Sequence, residues 1–173
     1  MSKIKNTQYP DLDDENDHSV NMVNEAAQGL SNPYRFHIIL SNASDKPESQ
    51  LTGFEKMHIV RDGVSKNDLE LLKRKTALDY TMLAKALSVT RATLINKKKN
   101  EKFNAGLSEK ILGMADLYSY GFEVFEDEDR FNQWMSKPNK ALGGQAPYDL
   151  IDNQFGREEV KNLIGRIDYG VYS

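Results

Sequence analysis

An apolar stripe in the last third of the chain limits the possible folds more than any other feature of the sequence. Its members fall at i, i+4, i+8, i+11, i+15 and i+18, namely Leu107, Ile111, Ala115, Tyr118, Phe122 and Phe125. Steps of three and four residues are typical of a helix that buries one face. We therefore predict a long helix here, with other helices packed against it.

Further helices are predicted after this stripe. One carries apolar residues at i, i+3 and i+4: Phe131, Trp134 and Met135. Pro147 can open a third, short helix at its first position, and Gly156 would close that helix. A last helix repeats at i, i+3, i+4 and i+7: Val160, Leu163, Ile164 and Ile167. Since no alternating strand pattern follows residue 54, the predicted fold class is all-α.

A helix is also predicted to begin at about residue 66. Ser65 and Asp68 have the spacing of a capping box, in which each side chain bonds the other's backbone N–H. Leu69 and Leu72 would supply the inner face of this helix.

Residues 80–99 have the pattern of a helix-turn-helix. Ala84 is small and lies in the first short helix, where the second helix must approach closely. Ser88 takes the turn position that Gly usually occupies, and Thr90 can cap the second helix. The inward positions are apolar on both sides of the turn: Leu83, Leu87, Leu94 and Ile95. The pattern therefore predicts two short packed helices.

The outward face of the second helix would carry hydroxyl, amide and cationic groups: Thr90, Arg91, Thr93, Asn96, Lys97 and Lys98. Hydroxyls and amides can read base edges, and cations bind phosphates. Residues 69–105 hold nine Lys/Arg and three Asp/Glu, a net charge of +6. A helical hairpin with a solvated basic face also explains the pattern, but the charge asymmetry favours DNA. Because Lys97 replaces an expected apolar residue, the helix could instead serve dimerisation.

Composition excludes several classes of function. The chain has no cysteine, which excludes disulfides, thiolate metal sites and a cysteine nucleophile. No apolar run approaches the roughly 20 residues that span a bilayer. The first residues, "MSKIKNTQYPDLDDENDHS", lack the apolar region of a secretory signal. We therefore expect a cytoplasmic protein.

The sequence offers weak candidates for catalysis or metal binding. The acidic run from Glu126 to Asp129 could bind a hard cation or act in acid–base chemistry, but capping of the following helix is the better interpretation. His18, His37 and His58 lack a second ligand at metal spacing. We expect no catalytic residue, metal or cofactor.

The chain ends in "IGRIDYGVYS", which is unusually apolar for a terminus. Gly170 would end the last helix, and Tyr169, Val171 and Tyr172 would form a short extended segment. Tyrosines are common interface anchors. From these residues alone, a tail folded onto its own domain and a tail that binds a partner are equally consistent.

The last third of the chain contains "FEVFEDEDRFNQWMSKPNKALGGQAPYDLIDNQFGREEVKNLIGRIDYGVYS". This segment resembles the toxin-binding domain of Xre/MbcA/ParS-type antitoxins, with "W-M-x-x-P-N", "A-L-G-G-x-x-P" and "G-R-I-D-Y-G" steps. Fourteen positions match in order: Trp134, Pro138, Asn139, Ala141, Leu142, Gly143, Gly144, Pro147, Gly156, Gly165, Arg166, Ile167, Tyr169 and Gly170. The upstream "VTRATLINKKK" resembles the family's helix-turn-helix more loosely.

The resemblance implies an antitoxin of a type II toxin–antitoxin pair with no catalysis of its own. The partner it implies is a RES-type toxin that consumes NAD, whose active site the terminal segment would cover. Toxin contact is expected from the end of the chain: Arg166, Asp168, Tyr169, Gly170, Val171, Tyr172 and Ser173. It also implies an Xre/Cro-like helix-turn-helix domain that binds and represses the operon's own operator, and self-association as a homodimer.

We therefore predict three segments. Residues 1–53 would be flexible or poorly determined, residues 54–105 would form the DNA-binding domain, and residues 106–173 would form the toxin-binding domain. One alternative is a stand-alone transcription regulator whose carboxyl-terminal domain only oligomerises. Another is an enzyme that uses Glu126 and Asp129.

Overall fold

The computed structural model describes residues 37–170 of the chain. Within them the chain forms seven α-helices and no β-strand. The helices are α1 (Gly53–Asp62), α2 (Lys66–Thr76), α3 (Tyr80–Ala86), α4 (Arg91–Ile95), α5 (Ala105–Phe125), α6 (Glu128–Met135) and α7 (Gln154–Asp168). Single 3-10 turns lie at Glu48–Gln50, Lys140–Leu142 and Pro147–Leu150. This confirms the predicted all-α class. None of the described helices is long and apolar enough to cross a membrane.

Side-chain caps fix where the helices begin. Thr52 with Glu55 and Ser65 with Asp68 form complete capping boxes at α1 and α2. The other helices start at a single capping side chain: Asp79, Thr90, Asn104, Asp127 and Asn153. The predicted starts at residue 66 and at Thr90 are confirmed. The acidic run has the predicted capping role, because the Asp127 carboxylate accepts from the Arg130 N–H at 2.9 Å.

Helix α5 is the centre of the described unit. Helices α1, α6 and α7 and the turn at Glu48–Gln50 pack around it. Five of the six residues of the stripe that predicted α5 are buried, with Ile111, Ala115 and Phe122 at 0% exposure, and Phe125 is half-buried. One apolar core includes side chains from both sides of residue 105. The division into DNA-binding and toxin-binding segments therefore stays a prediction about function.

A glycine lets α6 approach α5. The Phe131 ring lies where a Cβ at Gly121 would be. The ring meets Tyr118 and Phe122 edge to face, at centroid distances of 5.4 and 5.6 Å. The predicted apolar face of α6 is confirmed, with Phe131 and Met135 buried.

Several residues of the segment 37–53, which was expected to be flexible or poorly determined, contribute to the core. Ile39 and Leu40 are buried in the core. The carboxylate of Glu48, which is 0% exposed, accepts hydrogen bonds from both of their backbone N–H groups. The polar residues at 41–50 gave no sign in the sequence that one carboxylate among them would be buried. Residues 1–36 of the predicted segment lie outside the described residues.

Gly156 lies inside α7, which corrects its predicted role as a helix end. Asn153 caps α7, and its side chain accepts from the Gly156 N–H at 3.1 Å. A Cβ at Gly156 would overlap the Leu150 carbonyl oxygen. Glycine is therefore needed here for close approach of the Pro147–Leu150 turn to the first turn of α7. The predicted opening of that turn by Pro147 is confirmed.

Candidate functional site

The two short helices α3 and α4 lie where the sequence places a helix pair. Ser88 joins them in the left-handed region, with φ 53°, which is consistent with the glycine usually found at that position. Leu94 is fully buried, but Ile95 is 43% exposed. The inward prediction for Ile95 is wrong because α4 has only five residues and ends there. Whether this pair is a DNA-binding helix-turn-helix stays a prediction.

The six candidate DNA-binding residues fall into two groups. Thr90, Arg91 and Thr93 are exposed on the cap and first turn of α4. The others, Asn96, Lys97 and Lys98, follow the end of the helix. Of these, Lys97 is half-buried, and its ammonium lies 5.8 Å from the centroid of the Phe103 ring. The candidate surface is thus one helical turn followed by a basic loop.

A buried lysine, which sequence reasoning missed, holds α4 in place. The Lys66 ammonium donates to the Leu94 carbonyl at 2.8 Å and to the Tyr80 hydroxyl, and it pairs with Glu70 at 2.9 Å. Burial, and then the hydrogen bond to Glu70, raise the pKa of Tyr80. Residue type gives little signal for Lys66, because lysine is rarely buried.

Helix α7 presents a buried inner face and an exposed end. Val160, Leu163 and Ile164 are buried, as predicted, and Ile167 is half-buried. Within the last turn, Arg166 and Asp168 are exposed. Tyr169 caps the helix, and its N–H donates to the Gly165 carbonyl at 3.1 Å.

The end of the described chain is therefore ordered by helix α7 and open to solvent. Tyr169 is 83% exposed. Gly170 has φ 68°, and its N–H donates to the Ile167 carbonyl at 3.0 Å. The candidate residues Val171, Tyr172 and Ser173 lie outside the described residues. Arg166, Asp168, Tyr169 and Gly170 are brought together at one helix terminus.

An ion-pair triad ties α7 to the rest of the unit. The Asp116 carboxylate on α5 binds Lys56 of α1 at 2.9 Å and Lys161 of α7 at 2.6 Å. Sequence spacing gave no signal for it, because its three members come from different helices. The triad fixes the middle of α7 beside α5.

The acidic run is used structurally. Glu126 ends α5 in the left-handed region with φ 55°, Asp127 caps α6, and Glu128 pairs with Lys75 at 2.9 Å. In the part of the chain that the structure describes, no group of three or more His, Asp or Glu side chains could hold a metal ion.

Comparison with known proteins gives a match to the carboxyl-terminal part of the chain. Residues 121–170 match the family described as the antitoxin Xre/MbcA/ParS C-terminal toxin-binding domain. They include α6, α7 and the exposed Tyr169.

Three curated relatives are similar to longer parts of the chain. "Antitoxin Xre" of Photorhabdus laumondii is 36% identical over 73 residues, which cover 42% of this chain and 49% of the relative. "Prs ADP-ribosylating antitoxin" of Sphingobium sp. is 28% identical over 130 residues, 69% of this chain and 81% of the relative. "Antitoxin Xre" of Yersinia enterocolitica is 25% identical over 116 residues, which cover 66% of this chain and 78% of the relative.

This chain spans about half the length of the Photorhabdus protein and most of the other two. All three relatives are named antitoxins. Residues 121–170 are similar to the C-terminal toxin-binding domain of Xre/MbcA/ParS antitoxins, and together with the relatives this match supports an Xre/MbcA/ParS-type antitoxin.

Proposed function

We propose that this chain neutralises a cognate RES-type, NAD-degrading toxin by covering the toxin's active site with its carboxyl-terminal segment, without catalysis of its own. The observation that carries the proposal is the 83% exposure of Tyr169 at the end of a helix with a buried inner face. An exposed aromatic on a firmly held element loses little conformational entropy on binding, which is the property of an interface anchor. The match of residues 121–170 to a toxin-binding domain supports this use of the segment.

Removal of the last five residues tests tail occlusion. A chain that ends at Asp168 keeps every helix of the described unit. We expect this shortened chain to fold but to leave the toxin active, so that the NAD level falls when the two are co-expressed. Undiminished protection of NAD by the shortened chain would contradict occlusion by the tail.

A matched pair of substitutions distinguishes toxin binding by the tail from nonspecific binding by any exposed aromatic side chain on α7. Phe155, at the first turn of α7, is 75% exposed and so resembles Tyr169 in size and exposure. Tyr169→Ala should weaken toxin binding by about 1–3 kcal/mol, as for a typical aromatic anchor, while Phe155→Ala should leave it unchanged. Equal losses from both would assign binding to the whole helix surface and not to the tail.

We propose further that α4 and the loop after it bind operator DNA and repress the operon. Arg91 and Lys98 are exposed cations on this surface. Each alanine variant should weaken binding to the upstream DNA uniformly across sequences and lower the dependence of affinity on salt by about one counterion. Lys137, an exposed lysine after α6, provides the control. Salt-insensitive binding, or no binding to that DNA, would remove the repressor role.

Self-association as a homodimer completes the proposal, as the family resemblance implies. Equilibrium sedimentation of the full chain should give twice the chain mass of 19.7 kDa. A dimer that neither binds the neighbouring gene product nor protects NAD would instead favour a stand-alone transcription regulator.

A further inference from the structure

Helix α1 is less buried than the other helices of the described chain. Among the helices that the structure describes, it alone contains no buried residue. Ile59 and Val60 lie against the core but are only half-buried, and Phe54, in the first turn, is 76% exposed. Helices in proteins are stabilised mostly by burying an apolar face. Helix α1 therefore presents apolar surface that a single copy of the chain does not cover.

This uncovered surface borders a groove between α1 and the central helix α5. The groove has a volume of about 400 Å³, and its apolar lining residues are Met57 and Val60 of α1 and Leu112 of α5. Pockets of roughly 300–1,000 Å³ enclose small molecules, so the groove has room for an aromatic ring. Phe54 precedes Met57 by three residues and is therefore its neighbour on the helix surface. A protruding aromatic ring and a groove that can receive one thus lie side by side.

A surface that carries both a protruding ring and a groove can bind a second copy of itself. In a dimer with twofold symmetry, both copies use the same surface, so Phe54 of each copy can enter the groove of the other. An aromatic side chain in a desolvated pocket is typical of the residues that dominate binding energy at protein interfaces. The shape of this surface therefore favours a second copy as its partner.

The charges of this surface also suit a second copy. Three of the charged side chains of α1 are paired within the chain: Glu55 with Lys46 at 2.6 Å, Lys56 with Asp116 at 2.9 Å, and Asp62 with Lys102 at 2.5 Å. Arg61, one turn after Met57, is exposed and forms no direct ion pair with a described residue. The same is true of Glu109, which lines the groove from α5. The surface therefore offers one cation and one anion, so Arg61 of each copy can pair with Glu109 of the other.

We propose that two copies of this chain associate through this surface of α1 and α5, with Phe54 of each copy in the groove of the other. This inference names the surface for the proposed homodimer and rests on that proposal. It uses neither α4 nor the end of α7, so the residues proposed to bind DNA and toxin take no part in it.

Equilibrium sedimentation of the full chain tests the role of the aromatic ring. Phe54→Glu changes an exposed side chain, so the fold should be kept. It should raise the dissociation constant of the dimer at least about 30-fold, as for loss of an aromatic residue that dominates an interface. Phe155→Glu is the matched control, because Phe155 is 75% exposed in the first turn of α7. It should leave the dissociation constant unchanged.

A charge exchange tests whether Arg61 and Glu109 meet across the dimer. Arg61→Glu and Glu109→Lys should each weaken the dimer about fivefold, as for loss of exposed ion pairs. The chain that carries both substitutions should regain most of the affinity, because opposite charges face each other again. If the double variant is as weak as the sum of the single losses predicts, the two residues do not pair.

The absence of cysteine from the chain allows a direct test of whether the groove is covered. Met57→Cys places a single thiol in the groove, and Phe155→Cys places one on the exposed first turn of α7. Labelling of Met57→Cys with a maleimide should slow in proportion to the dimer fraction as the protein concentration rises. Labelling of Phe155→Cys should not depend on the protein concentration.

The outcomes separate this surface from self-association itself. A full chain that stays monomeric at every concentration would show that the proposed homodimer is wrong, and this surface with it. If a dimer forms but Phe54→Glu and Phe155→Glu dissociate alike, and Met57→Cys is labelled at one rate throughout, the homodimer stands and this surface is wrong.

Two further outcomes would assign the surface to another occupant. If Phe54→Glu keeps the dimer but no longer binds the protein encoded by the neighbouring gene, the surface belongs to toxin binding and the proposal is wrong. If labelling of Met57→Cys is slow at every concentration, including those at which the chain is monomeric, the groove is covered within one copy and the proposal is also wrong.

Discussion

Helices α4 and α7, which we propose as binding elements, are held on the molecule by different kinds of contact. Helix α4 has five residues and buries one side chain, Leu94, whose carbonyl is bonded by the buried Lys66 ammonium. Helix α7 has fifteen residues and buries Val160, Leu163 and Ile164. A short surface helix has too few apolar positions to fix its own place, so a polar group from the core does so. A long helix such as α7 is fixed mainly by its apolar face, to which the ion pair between Lys161 and Asp116 adds a polar contact.

The largest loss of stability is expected from a substitution that disrupts the packing of α7 against the rest of the molecule. Gly156→Ala places a methyl group on the Leu150 carbonyl oxygen, which is backbone and cannot rotate away. We expect a loss of about 3 kcal/mol in the free energy of unfolding, at the upper end for overpacking. Urea denaturation measures it.

Gly106→Ala is the control for this substitution. Gly106 lies in the first turn of α5, and a Cβ there would have Asn104 Oδ1 as its nearest neighbour, at 3.8 Å. This variant should gain up to about 1 kcal/mol from helix propensity. Similar losses from both variants would mean that the close approach at Gly156 is unimportant.

The next effect comes from breaking the polar anchor of α4. Lys66→Met keeps an unbranched side chain but leaves the Leu94 carbonyl and Glu70 without their cation. We expect a loss of about 2 kcal/mol, because a buried acceptor stays unsatisfied. Amide exchange at Asn96, whose N–H bonds the Ala92 carbonyl, should rise more than exchange in α7.

Lys73→Met is the matched control for Lys66. The Lys73 ammonium also lies over the Tyr80 ring, 5.4 Å from its centroid, but Lys73 is only half-buried. Its loss should cost less than about 0.5 kcal/mol, as for a surface substitution. If the two variants lose equal stability, the bond to Leu94 does not hold α4.

Glu48 is a second buried polar group that holds a segment in place, and it should make the stability of the protein depend on pH. Burial raises the pKa of Glu48 above its ordinary value of 4.5, although N–H bonds from Leu40 and Ile39 lower it. The folded state then keeps this proton to higher pH than the unfolded state. Its contribution to stability is full below pH 4.5 and is lost as pH rises through the raised pKa, by at most about 1.4 kcal/mol per pH unit.

The variant Glu48→Gln should not lose this contribution to stability as pH rises. Denaturation midpoints of the variant and the parent, measured from about pH 4 to about pH 8, should diverge as pH falls, with the parent gaining stability relative to the variant. The exposed Glu159→Gln gives the reference. Parallel curves for Glu48→Gln and the parent would show that this carboxyl titrates alike in the folded and unfolded chain.

The smallest effect concerns the end of α2, the helix that carries Lys66. Ala77, its carboxyl-terminal cap, has φ 55° and is exposed. Ala77→Gly should raise the free energy of unfolding by about 0.5–1 kcal/mol, because glycine takes this conformation without strain. Ala92→Gly, within α4, should lower it by about 1 kcal/mol. Changes of the same sign would contradict this account.

Sequence patterns predicted the elements that depend on apolar spacing and on caps. The stripe of α5, the capping box at Ser65 and the inner face of α7 were all placed correctly. The same method failed at Ile95, since periodicity does not show where a short helix stops. It also failed at Gly156, because a glycine that permits close approach has the same sequence signature as one that ends a helix.

The candidate tail was found in the sequence, but the residues that hold the helix before it were not. An apolar terminus with two tyrosines and a family motif marked Arg166 and the residues from Asp168 onward. Asp116 lies far from the tail in the sequence, Lys161 lies one and a half turns before Arg166 on the same helix, and neither belongs to a motif. They became visible only when α5 and α7 were placed side by side.

The sequence by itself determined an all-α chain with helices at α2 to α7 and an apolar end, because helical period and capping side chains act over a few residues. Only the tertiary structure decided that Ile39, Leu40 and Leu51 belong to the core, that the buried Lys66 bonds the Leu94 carbonyl, and that the buried Glu48 accepts from Ile39 and Leu40. These polar contacts join residues that are distant along the chain. Their formation depends on how the helices pack, which local patterns do not encode.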